Sequence, residues 1–148
     1  MKKRTILIAI AFITICAAIY GFIEYNRTSK DLTYVKAKFT VTAETIMESF
    51  ITDEANANKE YLGQVVSVTG NIRTIEASDK NNSILVLGDK ALSSVRCSLD
   101  STHVNELQGL HTGEEVTVKG IVTGYSADET GLLGSDVQMN RCIIDSKK

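Results

Sequence analysis

The spacing of apolar residues along this chain changes three times. After Met1-Lys2-Lys3-Arg4, the segment 5–23 runs for 19 residues without a charge. Such continuous apolarity predicts a helix, which at 1.5 Å rise per residue spans roughly 28 Å, about the hydrocarbon thickness of a bilayer. Residues 24–41 mix polar and apolar side chains without a clear period, and read as a stalk that turns extended. Beyond it Ala43, Ile46, Met47, Phe50 and Ile51 recur at helical spacing through "AETIMESFITDEANAN", so one amphipathic helix is expected, packed on its own domain. Thr42 is placed to cap it, and Glu44 in its first turn suits the helix dipole.

From Tyr61 onward the period is two. Val66, Val68, Gly70 and Ile72 alternate with Ser67, Thr69, Asn71 and Arg73, the signature of a strand with one buried face. "EASDKNNS" reads as a loop, followed by a short strand over 84–88 and another over 94–99. "DSTHVNELQGL" predicts a short helix capped by Asp100 or Ser101 and stopped by Gly109. Two further strands follow, one through "GEEVTVKGIV" (113–122) and one over 136–144. In the last, Val137 and Met139 share one parity, whereas Cys142 and Ile144 share the other, so a bulge is expected near Asn140.

Three strands, a short helix and two strands form the layout of an all-β, five-stranded OB-fold Greek-key barrel, here preceded by an α-helix and an N-terminal transmembrane helix. An open five-stranded sandwich is the alternative. The barrel also accounts for a pattern written twice, G-x-x-V-x-V-x-G at Gly63–Gly70 and at Gly113–Gly120. In such a barrel the first and fourth strands lie side by side, and a mid-strand Gly lets each bend sharply.

Charge divides the chain. Five of its 16 basic residues and one of its 18 acidic residues fall in 1–30, leaving 11 and 17 for 31–148. The body is therefore acidic, which argues against a phosphate-binding surface. Lys2, Lys3 and Arg4 hold the N-terminus in the cytoplasm. The expected organisation is a cytoplasmic tail (1–4), a transmembrane anchor (5–23), a stalk (24–41) and an extracytoplasmic domain (42–148) of a single-pass cytoplasmic-membrane protein. Secretion after signal cleavage is the alternative, although the apolar run is long for a signal peptide and lacks a small-x-small ending. Cys16 follows Ile15 where a lipidation site needs a small residue, so it reads as a membrane-buried thiol.

The run 50–70, "FITDEANANKEYLGQVVSVTG", together with "VRCSL", "GEEVTVKG" and "DVQMNRCII", resembles the tRNA-anticodon-like family of membrane-anchored bacterial OB-fold proteins over about residues 43–144. Asp53 stands where the family's helix carries Asn. The resemblance implies an OB fold and no particular ligand, since most members are uncharacterised.

Catalytic chemistry is sparse. His103 and His111 have no Cys or carboxylate partner at zinc-like spacing. Asp79, Asn81 and Ser83 fall at alternate positions of a calcium loop, but the Gly is missing and Lys90 stands where a bidentate Glu belongs. Neither a metal nor a cofactor is expected, and no nucleophile–base arrangement is present, so the reading is a non-catalytic binding or interaction module for a protein or small ligand. Alternation assigns Arg73, Leu85, Leu87, Arg96 and Ser98 to the outer binding face, with Lys80 and Tyr125 in adjoining loops. Single-stranded nucleic acid is the alternative ligand, weakened by the acidic body and by the two aromatic residues past position 60, Tyr61 and Tyr125. Haem carriage is remoter, for no H-x-x-x-Y spacing occurs. Cys97 and Cys142, expected on neighbouring strands in an oxidising compartment, are candidates for a disulfide.

Overall fold

The computed structural model describes Cys16, Tyr20 and residues 32–79, 82–89, 93–128 and 134–147. A 3-10 turn (Leu32–Tyr34) leads to β1 (Phe39–Thr42), α1 (Ala43–Thr52), α2 (Glu54–Tyr61), β2 (Val65–Asp79), β3 (Asn82–Leu87) and β4 (Ser93–Leu99). A second 3-10 turn (Val104–Leu107) precedes β5 (Glu115–Ser126) and β6 (Ser135–Lys147). Residues 31–148 make one compact unit and 1–30 another. Of the second, only Cys16 and Tyr20 are described, both helical and exposed. Among the described residues no helix is long and apolar enough to cross a membrane. The tail over 1–4 and the remainder of the span expected over 5–23 lie outside them.

The echoed segments are the seam of the barrel. β2 and β5 run antiparallel, with Val68 opposite Val118, Gly70 opposite Val116 and Val66 opposite Gly120. Each copy of the pattern thus reads the other backwards. The first Gly of each copy has a positive φ, 72° at Gly63 and 89° at Gly113, a conformation that favours glycine. Each donates to the strand opposite, Gly63 N–H to Val122 O (2.8 Å) and Gly113 N–H to Ile72 O (2.7 Å). With the strands in order β2-β3-β4-β6-β5 and β2 pairing β5, the barrel closes as an OB fold, and the open sandwich is excluded. β4 and β6 pair in parallel, as the OB order requires. The expected bulge in β6 is present. The β5 register shifts between Lys119 and Ile121, opposite Ile143 and Asn140, and Arg141 takes φ 56°. One extra residue there lets Met139 and Cys142 both enter the core.

Three expectations are corrected. The single helix through 43–58 is two, because Asp53 leaves the helical region (φ −152°) and its carboxylate caps α2 by accepting from Asn56 N–H at 3.0 Å. Thr42 caps α1 as expected, accepting from Thr45 N–H at 3.2 Å. The second part of the predicted stalk is built onto the barrel: β1 pairs in parallel with β2, Phe39 opposite Val66, and Leu32 is buried. Lys119, on the outer side of β5, is itself covered there and donates to Thr33 O at 3.4 Å. Lastly, the short helix after β4 shrinks to a 3-10 turn. Asp100 forms an Asx turn with Thr102 N–H (3.1 Å) and hydroxyl (2.8 Å) instead of capping a helix.

The core is one cluster. Val66, Val68, Ile72, Leu85, Leu87, Val95, Val116, Val118 and Val122 fill the barrel, and Ile46, Met47 and Phe50 of α1 join them. α1 covers the barrel end near Gly70, Leu87 and Ser93. By register the second 3-10 turn lies at the other end, where Leu110 is buried.

Candidate functional site

Strand alternation determines which side chains of the barrel wall face solvent. On β4, Val95, Cys97 and Leu99 point into the core, which turns Arg96 and Ser98 outward. On β6, Val137 and Met139 point inward, so Gln138 and Asn140 are exposed. Arg96 stands opposite Gln138 in the parallel β4–β6 register. These four side chains, with Ile84 of β3 and Thr123 of β5, line a shallow depression of about 230 Å³. Arg96 Nη2 donates to Glu76 Oε2 at 2.7 Å, an ion pair in which both side chains remain part-exposed (33% and 42%). Glu76 thereby orients the guanidinium and offsets part of its charge. Thr123 Oγ1 donates to Gln138 O at 3.2 Å, tying the two strands along the depression. The surface offers donors and acceptors in a fixed pattern and no aromatic ring.

The seven residues expected on the binding face and its adjoining loops separate. Arg96 lies in the depression, with Ser98 beside it. Arg73 sits at a register shift in β2, and its Nη1 donates to Ser93 O at 3.2 Å, toward the connection between β3 and β4. Leu85 and Leu87 are corrected: both are fully buried, since Leu85 pairs with Ile75 and Cys97, and Leu87 with Ile72 and Val95. The run Ile84-Leu85-Val86-Leu87 is apolar in both parities, so only the pairing chooses the inward set. Tyr125 is corrected as well. It belongs to β5 and stacks on Phe50, with ring centroids 5.1 Å apart and planes 23° apart. Phe50 also packs against Tyr61 (6.1 Å), which meets Phe39 edge-on (5.2 Å). Both aromatic residues of the chain past position 60 are thus engaged in holding the helices to the barrel. Lys80 lies outside the described residues. Gln138, Asn140 and Thr123 were missed by the sequence reading. The parity of "DVQMN" marks the first two as outward once that strand's buried face is known.

Cys97 and Cys142, the candidates for a disulfide, are both buried, and in this structure both are free thiols. They are neighbours in contact, and burial first, with Cys97 beside it, pushes the Cys142 thiol well above its ordinary pKa. At the far end of β4, the N–H and hydroxyl of Thr102 hold the Asp100 carboxylate below its usual range. His103 Nδ1 meets Glu106 Oε1 at 2.7 Å, while Glu106 Oε2 accepts from Ile144 N–H at 3.0 Å, so this pair serves to fasten the 3-10 turn to β6. Among the described residues no cluster of three His, Cys, Asp or Glu side chains is placed to hold a metal ion.

Known proteins of similar fold are distant in sequence. The structure of a Klebsiella pneumoniae protein named "putative nucleic acid-binding lipoprotein" aligns with a TM-score of 0.55 at 16% identity, covering 80% of this chain and all of that one. An asparaginyl-tRNA synthetase from Entamoeba histolytica aligns with a TM-score of 0.40 at 14% identity, over 58% of this chain and 21% of the synthetase. OBody AM3L09, solved bound to hen egg-white lysozyme, aligns with a TM-score of 0.42 at 19% identity, over 60% of this chain and 88% of the OBody. No curated protein matches the chain. A family model described as tRNA_anti-like matches residues 1–135.

Proposed function

The chain belongs to the tRNA_anti-like family, and from that membership we propose that it is a non-catalytic binding module, tethered at the cell envelope through residues 5–23. Its ligand is a polar molecule or protein segment held on the outer face of β4 and β6 by Arg96, Ser98, Gln138 and Asn140. One observation carries this reading: the exposed polar wall offers hydrogen-bonding groups around an oriented guanidinium, whereas Tyr61 and Tyr125 are occupied in packing. Recognition on this wall then works by hydrogen bonding rather than by ring stacking. The word "lipoprotein" in the name of the Klebsiella neighbour supports the envelope setting.

Single-stranded nucleic acid is the second reading, favoured by that neighbour's name and by the guanidinium on the face that OB folds use for oligonucleotides. Against it stand the acidic body and the lack of a stacking platform on the wall. Base–aromatic stacking contributes about 1–3 kcal/mol per base in such sites. Fluorescence anisotropy with a 20-mer oligonucleotide at physiological salt separates the two. Binding no tighter than about 10⁻⁴ M is expected, the weak edge of non-specific association. A micromolar complex weakened by Arg96→Ala establishes the nucleic-acid reading instead. For the first reading, a photo-crosslinking residue at Gln138 should capture a partner in native membranes that Asn140→Lys abolishes. Capture that survives this substitution moves the site elsewhere.

A further inference from the structure

α1 buries Ala43, Ile46, Met47 and Phe50, but Ile51, on the flank of the same stripe, is 58% exposed. Between this flank and the connection at Gly88 and Asp89 lies a groove of about 200 Å³, with Ala43, Met47 and Ile51 supplying its apolar surface. Through Ala43, Glu44, Gly88 and Asp89 the groove continues into a second depression, bounded on its far side by Asn71 and Glu115. Its charged side chains among the described residues are carboxylates: Glu44, Glu48, Asp89 and Glu115 line the two parts, and no described lysine or arginine does. Asn71 Nδ2 donates to Asp89 Oδ1 at 2.9 Å, fixing one carboxylate at the junction. The carboxylates are too dispersed to hold a metal ion, and they repel phosphates.

We propose that this groove docks a basic segment of a partner protein, which sets one apolar side chain against Met47 and Ile51 and its lysine or arginine side chains on the acidic rim. Charge complementarity selects the occupant: an apolar groove bordered by carboxylates steers and orients a segment of the opposite sign. The groove shares no residue with the depression on β4 and β6, so either site can fail without the other.

The probe is a fluorescein-labelled peptide, Lys-Lys-Leu-Lys-Lys, titrated into the full chain in a neutral detergent at low salt. Two controls accompany it, one with Ser for Leu and one with Glu for every Lys. Saturable binding is expected for the first peptide only, and it should weaken as salt is raised. Glu48→Lys and Ile51→Ser should each weaken it by about five- to tenfold. Both positions are exposed, so unchanged thermal melts are expected, and they verify the fold. No binding overturns the proposal. So does equal binding of the serine control, which needs charge alone, or binding that neither substitution affects.

Discussion

A Cβ built on Gly120 would stand 2.5 Å from Cys142 Sγ and 3.3 Å from Asn140 O, while one on Gly70 would stand 2.9 Å from Ala43 Cβ. The second glycine of each echoed motif therefore serves close approach, of a thiol in one copy and of a helix N-terminus in the other, beyond the strand bending expected of it. Gly120→Ala should lower stability by about 1–3 kcal/mol, the usual range for overpacking. Much of that increment should vanish when Gly120→Ala is made in a Cys142→Ala background, read as non-additivity in urea melts; full additivity would disprove the contact. The pH dependence of stability has two residue-scale sources. The Asp100 carboxyl titrates lower folded than unfolded, so its contribution is complete above the unfolded value and fades as pH falls through the folded one. Cys142 is raised by burial; its contribution is complete below the unfolded thiol pKa and is lost as rising pH ionises the unfolded chain. Urea melts at stepped pH should show both arms, and Cys142→Ala should flatten the alkaline one.

At the scale of elements, the helical pair depends on two side-chain caps in an otherwise ordinary amphipathic sequence. Thr42 and Asp53 each accept from a backbone N–H three residues on, and such caps are worth about 1 kcal/mol. Thr42→Ala and Asp53→Ala should each reduce stability by that amount in chemical denaturation, and Asp53→Asn should restore most of the second loss. If Asp53→Ala costs nothing, its carboxylate does not set the break between the helices. The amphipathic stripe of α1 was legible because helical spacing is a local property. The break was not, since an N-cap in mid-segment leaves the apolar spacing on either side unchanged. β1 was missed for a related reason. Its residues Phe39 to Thr42 carry no exceptional signal, and they become a strand only because the first half of β2 has a second edge to satisfy.

For the whole molecule, the proposed tether carries a topological prediction: Lys2, Lys3 and Arg4 would keep the N-terminus in the cytoplasm and leave the domain on the other side of the membrane. Protease added to intact spheroplasts should therefore digest the 32–148 portion, as followed with a C-terminal tag. Complete protection until lysis would reverse the orientation. The acidic body bears on both proposed sites. On β4 and β6 the Arg96 guanidinium is offset by Glu76, and the α1 groove is acidic outright, so neither surface gathers the positive field that backbone phosphates need.

The barrel could be read from the chain because its demands are local and periodic. Alternation in Val66 to Ile72 and Val116 to Val122, glycines at matched positions, and the parity change that required a bulge near Asn140 all follow from a strand having one wet and one dry face. What needed the tertiary structure was every choice between two sides that the sequence left equally apolar, and every contact between residues far apart along the chain. Leu85 and Leu87 went inward because of their partners on β2 and β4. Tyr125 went to Phe50, 75 positions away in sequence. The depression joining Arg96 to Gln138 and Asn140, and the acidic groove beside α1, exist only where separate elements meet. Pairing register and helix docking decide such juxtapositions, and no local pattern of residues encodes them.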